Sequence, residues 1–210
     1  MKEKQYSDNI KNSKSHLQDY TEKIRDKSDK EFYALLSQMI INRLEHNHFA
    51  NELGAKMETV KHQKSVVSLL VGEQHLNPNG TVHGGVVMTL ADTAAGACLL
   101  YLGQPSATID LSYRFLKPVF EGDLLVAKAR VIQSGKTVIV VEVDLYVIQQ
   151  SEYDNIADLI DISSENLNQK LIGAATASFV RRDRHLPELP PEILDLADQF
   201  MQDYIAEKSK

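Results

Sequence analysis

The chain has 210 residues, 43% hydrophobic and 25% charged, with a formal net charge of −6. That size suits one domain with a real core plus some extra segments, and that balance excludes a disordered or a membrane-embedded chain. Residues 1–50 carry nine Lys/Arg and eight Asp/Glu and residues 51–210 carry fourteen and twenty-one, so neither part is a basic arm for nucleic acid.

The first 27 or so residues are polar and without sustained periodicity, which predicts a loose tail or a marginal helix. They hold no apolar leader, so a cytoplasmic location is expected. Ser28 and Glu31 have the spacing of a capping box. Phe32, Leu35, Leu36, Met39, Ile40 and Leu44 then recur at helical intervals, and Gly54 is a natural stop. Residues 1–53 are thus read as a tail and an amphipathic helix preceding a main domain at 54–185.

A β-type run, VVSLLV from Val66, leads to a loop over Gly72–Thr81 containing Asn77, Pro78, Asn79 and Gly80. Residues 84–102 are apolar nearly all round and rich in Ala and Gly, the pattern of a buried helix closely approached by a sheet. The longest apolar run, Leu90 to Leu102, is broken by Asp92, Thr93 and Gly96, so no segment could span a bilayer. Cys98 is the only cysteine; it excludes an internal disulfide and a cysteine-clustered zinc site, and reads as a small buried hydrophobe.

Strand patterns follow at 107–116, 124–132, 137–149 and 171–182. In the first, Ile109, Leu111, Tyr113 and Phe115 share an apolar face that reads as core. Gly122-Asp123 and Ser134-Gly135-Lys136 lie at two connections, which makes antiparallel hairpins the simplest assembly. The connection at 150–170 reads as an insertion, and residues 186–210 as a C-terminal helix after Pro187, Pro190 and Pro191. The predicted class is α+β, one buried helix on a single antiparallel sheet.

Between Gln74 and Ile109 Asp92 is the only Asp, Glu, Lys or Arg in 36 residues, where the chain's own composition predicts about nine. A carboxylate in an apolar helix costs several kcal/mol unless something compensates it. Backbone or scaffold contacts would do so, and so would a catalytic role. His83-Gly84-Gly85, directly before the helix, points to the latter. The first N–H groups of a helix have no intrahelical partner and sit at its positive end, where they can receive a carbonyl oxygen gaining charge. Asp92 lies about two turns and ~12 Å further on, too far to serve the same carbon within one chain. A twofold-related copy that laid its own carboxylate beside the glycine turn would reconcile the two.

The segments NPNGTVHGGVVMTLADTAAGACLL, TIDLSYRFLKP and EGDLLVAKARVIQSGKTVIVVEVDLY resemble the hotdog-fold acyl-CoA thioesterases of the phenylacetyl-CoA thioesterase branch, over roughly residues 54–182. The resemblance implies a hotdog fold and hydrolysis of an acyl-CoA thioester. It matches Asp92 to the acid that activates water or attacks the thioester, and Gly84 to the N–H that polarises the carbonyl. It matches His83 to the histidine that orients this loop near the leaving sulfur, Asn77 to an amide that holds substrate or water, and Thr108 to a hydroxyl supporting the nucleophilic water. It further implies homodimers with shared active sites, commonly paired into tetramers, and no cofactor beyond the coenzyme A of the substrate. Gly85 lets substrate reach the helix start, while Met88 and Thr89, one turn from Asp92, border its pocket.

Two other functions fit parts of the pattern. A non-catalytic acyl-CoA-binding regulator would need a DNA-binding segment, which the nearly neutral first 50 residues do not provide, and would have no use for the acid. An enoyl-CoA hydratase or dehydratase would need a His and an acid placed at carbons alpha and beta. No metal is expected, since His46 and His48 point to different helix faces. Arg114, Lys117, Lys136, Arg181, Arg182 and Arg184 are cations that could meet the coenzyme A phosphates, although such side chains are usually just solvated.

Overall fold

The structure, a computed structural model, describes residues 47–61, 63–100, 106–148 and 169–181. The expected helix start at Ser28, most of the 150–170 insertion and the expected C-terminal helix lie outside these residues. The described elements run α1 (His48–Leu53), β1 (Lys56–Lys61), β2 (Lys64–Leu70), α2 (Gly84–Ala97), β3 (Ser106–Phe115), β4 (Leu124–Ser134), β5 (Val138–Ile148) and β6 (Lys170–Arg181). Gly54 ends α1 in the left-handed region at φ 82°, where its N–H reaches Ala50 O and Asn51 O, as the sequence predicted for a glycine stop. The strand β1 was not legible in the sequence, because KMETVK offers no alternation of the usual kind.

Among the described residues six antiparallel strands form one sheet in the order β1-β2-β4-β5-β6-β3, and α2 packs across it. Leu90, Ala91, Ala94 and Ala95 of α2 are fully enclosed against Val67, Leu69, Leu125, Val141, Val143 and Leu145 of the strands. Alanine on the helix is what lets it lie close on a surface of larger side chains. Ser65 fixes its position along its axis, donating from Oγ to Ala94 O at 2.6 Å. The helix is shorter than expected, giving way to turns after Ala97.

Two expectations about the strands are corrected. Gly122 does make a turn, at φ 83°, but β3 and β4 do not form a hairpin: β4 lies between β2 and β5, and β3 pairs with β6. The first four residues of β4 are buried on both faces, which only an interior strand offers, whereas β3 exposes Asp110, Ser112 and Arg114, the composition of a sheet margin. The second correction concerns the apolar face of β3. Its pairing with β6 slips by one residue between Thr108 and Asp110, a β-bulge at Ile109. Ile109 is therefore 58% exposed, and Thr108 takes the inward side beside Leu111 and Tyr113.

Glycine is required at 173 for a packing reason. Tyr113 leans across β6 so that a Cβ on Gly173 would fall within its hydroxyl, and would also stand 2.9 Å from Arg114 O. Gly173→Ala is expected to destabilise the fold by about 1–3 kcal/mol, as overpacking does. The midpoint of urea unfolding measures this, and shortening Tyr113 to Leu in the same chain should recover part of the loss.

Cys98 is enclosed next to Ser65, with burial pushing its thiol up to about 12. Ellman's reagent should leave it untouched in the native protein and titrate one thiol after unfolding.

Candidate active site

Asp92 projects from the second half of α2 into an open cleft of about 720 Å³, bordered by Met88, Thr89, Thr108, Leu111 and Phe179 among others. The carboxylate is half-buried, not sealed as a wholly apolar helix suggested. Its compensation is therefore solvent access on one side and a hydrogen bond on the other: Thr108 Oγ1 donates to Asp92 Oδ1 at 3.0 Å. The bulge at Ile109 is the cause of that bond. With an unbroken period of two, Thr108 would share the outer face of Asp110, Ser112 and Arg114.

At the other end of α2, the turn at its start is held from below. The ring of His75 is buried; Nδ1 accepts from Gly72 N–H at 2.9 Å and Nε2 donates to Leu53 O at 3.0 Å, while His75 O accepts from His83 N–H at 2.8 Å. His75 thereby orients the loop that leads into α2. Asn77 closes the loop on itself, with Oδ1 accepting from Asn79 N–H (2.8 Å) and Nδ2 donating to Thr81 Oγ1 (2.9 Å). One hydrogen of that amide stays available to a ligand.

His83 is the helix N-cap, and its Nδ1 accepts from Gly85 N–H at 2.9 Å. A neutral ring bonded this way keeps its proton on Nε2, so the outer edge of His83 is a donor. Gly84 opens the helix, and its N–H meets no acceptor among the described residues. A Cβ there would stand 3.1 Å from the Phe115 ring, so glycine also admits that ring to the helix start. Phe115, expected in the core, is 59% exposed and flanks the turn instead.

The single chain thus brings Asp92, Thr108, Met88 and Thr89 together. It keeps Asn77, His83, Gly84 and Gly85 apart from them, since none of the four borders the cleft. Sequence reasoning missed Met57, Leu111 and Phe179 as cleft walls, and only the sheet order could have revealed them. Of the cations considered for coenzyme A, Arg181 is buried and ties the β4–β5 turn through Gly135 O and Ser134 Oγ. Arg182 and Arg184 lie outside the described residues.

Residues 79–153 match the family described as the thioesterase superfamily. Acyl-coenzyme A thioesterase PaaI of Escherichia coli is 32% identical over 106 residues, which cover 50% of this chain and 76% of that protein. Acyl-coenzyme A thioesterase 13 of Mus musculus is 33% identical over 85 residues, 40% of this chain and 61% of the mouse protein. The chain spans about three fifths of the length of that relative. The structure of the Escherichia coli PaaI protein from the phenylacetic acid degradation operon superposes with a TM-score of 0.58 at 27% identity, covering 70% of this chain and 94% of the other.

His75→Leu should cost about 2 kcal/mol or more by orphaning Gly72 N–H and Leu53 O. Thermal or urea unfolding reads that loss, and faster amide exchange across residues 72–85 should accompany it.

Proposed function

The chain belongs to the thioesterase superfamily, with a hotdog fold, and on that premise we propose that it is an acyl-CoA thioesterase in which Asp92 is the catalytic carboxylate. The observation that carries the reading is the Thr108–Asp92 pair, set in an open cleft on a helix stretch cleared of every other charge.

In this reading Asp92 takes a proton from water as the water oxygen attacks the thioester carbon. Negative charge gathers on the carbonyl oxygen, where the free Gly84 N–H and the positive end of α2 receive it. The tetrahedral intermediate collapses, the carbon–sulfur bond breaks, and the proton held by Asp92 passes to the sulfur, giving a free acid and the coenzyme A thiol. A direct attack by Asp92 would form a mixed anhydride that water then opens; the same residues serve either route. In the same reading Nε2–H of His83 donates a hydrogen bond toward the departing sulfur, and the spare Asn77 amide hydrogen one toward substrate or water. Thr108 holds Asp92 in the rotamer that faces the cleft, while Met88 and Thr89 border the acyl group. Neither route needs a metal.

Because Asp92 and Gly84 are about two helical turns apart, one chain does not complete a site. A homodimer in which each copy supplies one half does so, and pairing of dimers into a tetramer is compatible with it. An aqueous, cytoplasmic setting agrees with the substrate class; among the described residues no helix is long and apolar enough to cross a membrane.

Asp92→Asn should fold normally and lose at least about two orders of magnitude in kcat for thiol release from acyl-CoA. Thr108→Val should lose about tenfold and Thr108→Ser little, the worth of one hydrogen bond to a charged acceptor. A folded Asp92→Asn protein with full activity would remove the assignment. So would loss of enoyl absorbance without thiol release, which would indicate hydration.

A further inference from the structure

The cleft that holds Asp92 does not end at the carboxylate. It continues toward the C-terminal end of α2, where Thr93, Gly96, Ala97 and Leu100 recur at helical spacing on its border. Exposure falls along that course. Asp92, Thr93 and Gly96 are half-buried, whereas Ala97 and Leu100 are buried, as is Phe179 of β6. Leu100, in the turn that follows α2, lies about 12 Å beyond Asp92 at ~1.5 Å per residue, the reach of an extended acyl chain of roughly eight to ten carbons.

Two features make this arm a place for an alkyl chain. A Cβ on Gly96 would meet nothing within 4 Å, so the space over the helix backbone is open at that point. No Lys or Arg borders the cleft among the described residues, so the phosphates of coenzyme A would find no cation there, while apolar carbons would lose only water.

The remaining wall comes from ahead of residues 79–153, the stretch matched to the thioesterase superfamily. Phe49 of α1 and Met57 of β1 both border the cleft, and Phe49 is 66% exposed. The helix that carries this ring is fixed at both ends. Asn47 Oδ1 accepts from Ala50 N–H at 3.4 Å, Ala50 is buried, and Leu53 O accepts from the His75 ring. The ring is thus held on the border of the cavity with much of its apolar surface in water, and a bound alkyl chain would cover it.

We propose that this arm takes the distal carbons of a straight-chain acyl group, with Gly96 giving the chain room to lie along α2 and Phe49 packing on it, which makes medium-chain acyl-CoA the preferred substrate class. The inference rests on the acyl-CoA thioesterase reading and adds to it the chain length and the residues that select it. Met88 and Thr89 then border the carbons next to the thioester.

Thiol release from butyryl-, decanoyl- and phenylacetyl-CoA by the full-length protein tests this. Decanoyl-CoA should exceed the other two in kcat/KM by about tenfold or more. Gly96→Leu, which fills the arm, and Phe49→Ala, which removes its wall, should each lower the ratio of decanoyl to butyryl kcat/KM by about tenfold, the scale of a lost apolar contact in a specificity pocket. Phe49→Leu should restore most of that ratio. Comparing two substrates on one protein sample cancels any loss of folded enzyme, so a general structural defect does not imitate the effect. A ratio that neither Gly96→Leu nor Phe49→Ala moves overturns the inference and leaves Asp92 in its role, as does a wild-type preference for butyryl- or phenylacetyl-CoA. Release of thiol from none of the three overturns the thioesterase reading as well.

Discussion

One hydrogen bond, from Thr108 to Asp92, joins the margin of the sheet to the helix lying on it, and the arrangement of the candidate site follows from that link. Two constraints must agree for it to form. The helix has to stop at one axial position, which Ser65 sets by binding Ala94 O two residues past the acid. The strand has to turn a polar residue inward, which an unbroken β-strand with this sequence would not do, and the extra residue at Ile109 supplies the half-turn. The irregularity in β3 is thus part of the site and not a defect in the sheet.

The opposite end of α2 is built by different means. Here polar contacts do the positioning: buried His75 connects Gly72, Leu53 and His83, and Asn77 folds its loop into a closed turn. These bonds hold the backbone in place before any ligand arrives, leaving Gly84 N–H with no acceptor among the described residues at the positive end of the helix. A rigid helix between two such ends keeps them apart, so the need for a second copy would come from the pitch of α2 itself.

Much of this was legible in the sequence where a rule has few competitors. The buried helix, the alternating face of β5 and the glycine stop at Gly54 each rest on a strong local pattern, and each is found, while Asp92 stands out in the sequence as the one charged residue from Gln74 to Ile109. The strand order was not legible, because a turn at Gly122 fixes a change of direction but not which neighbour the next strand takes. The bulge was hidden for a related reason: Ile109 extends the apolar alternation of β3, and only its mismatch with β6 exposes it. Phe115 was misread because aromatic residues in such a pattern usually face a core, and the space opened by Gly84 is visible only in three dimensions.

The open margin formed by β3 also bears on how the chain survives its own synthesis. A strand with Ile109, Phe115 and Leu116 largely uncovered is a template on which unrelated chains could stack as they emerge, the usual route to insoluble deposits. Asp110, Arg114 and Lys117 break that stretch at short intervals, so a stranger's strand meets unmatched charge wherever it tries to add. The charges set along this margin thereby act as a gatekeeper.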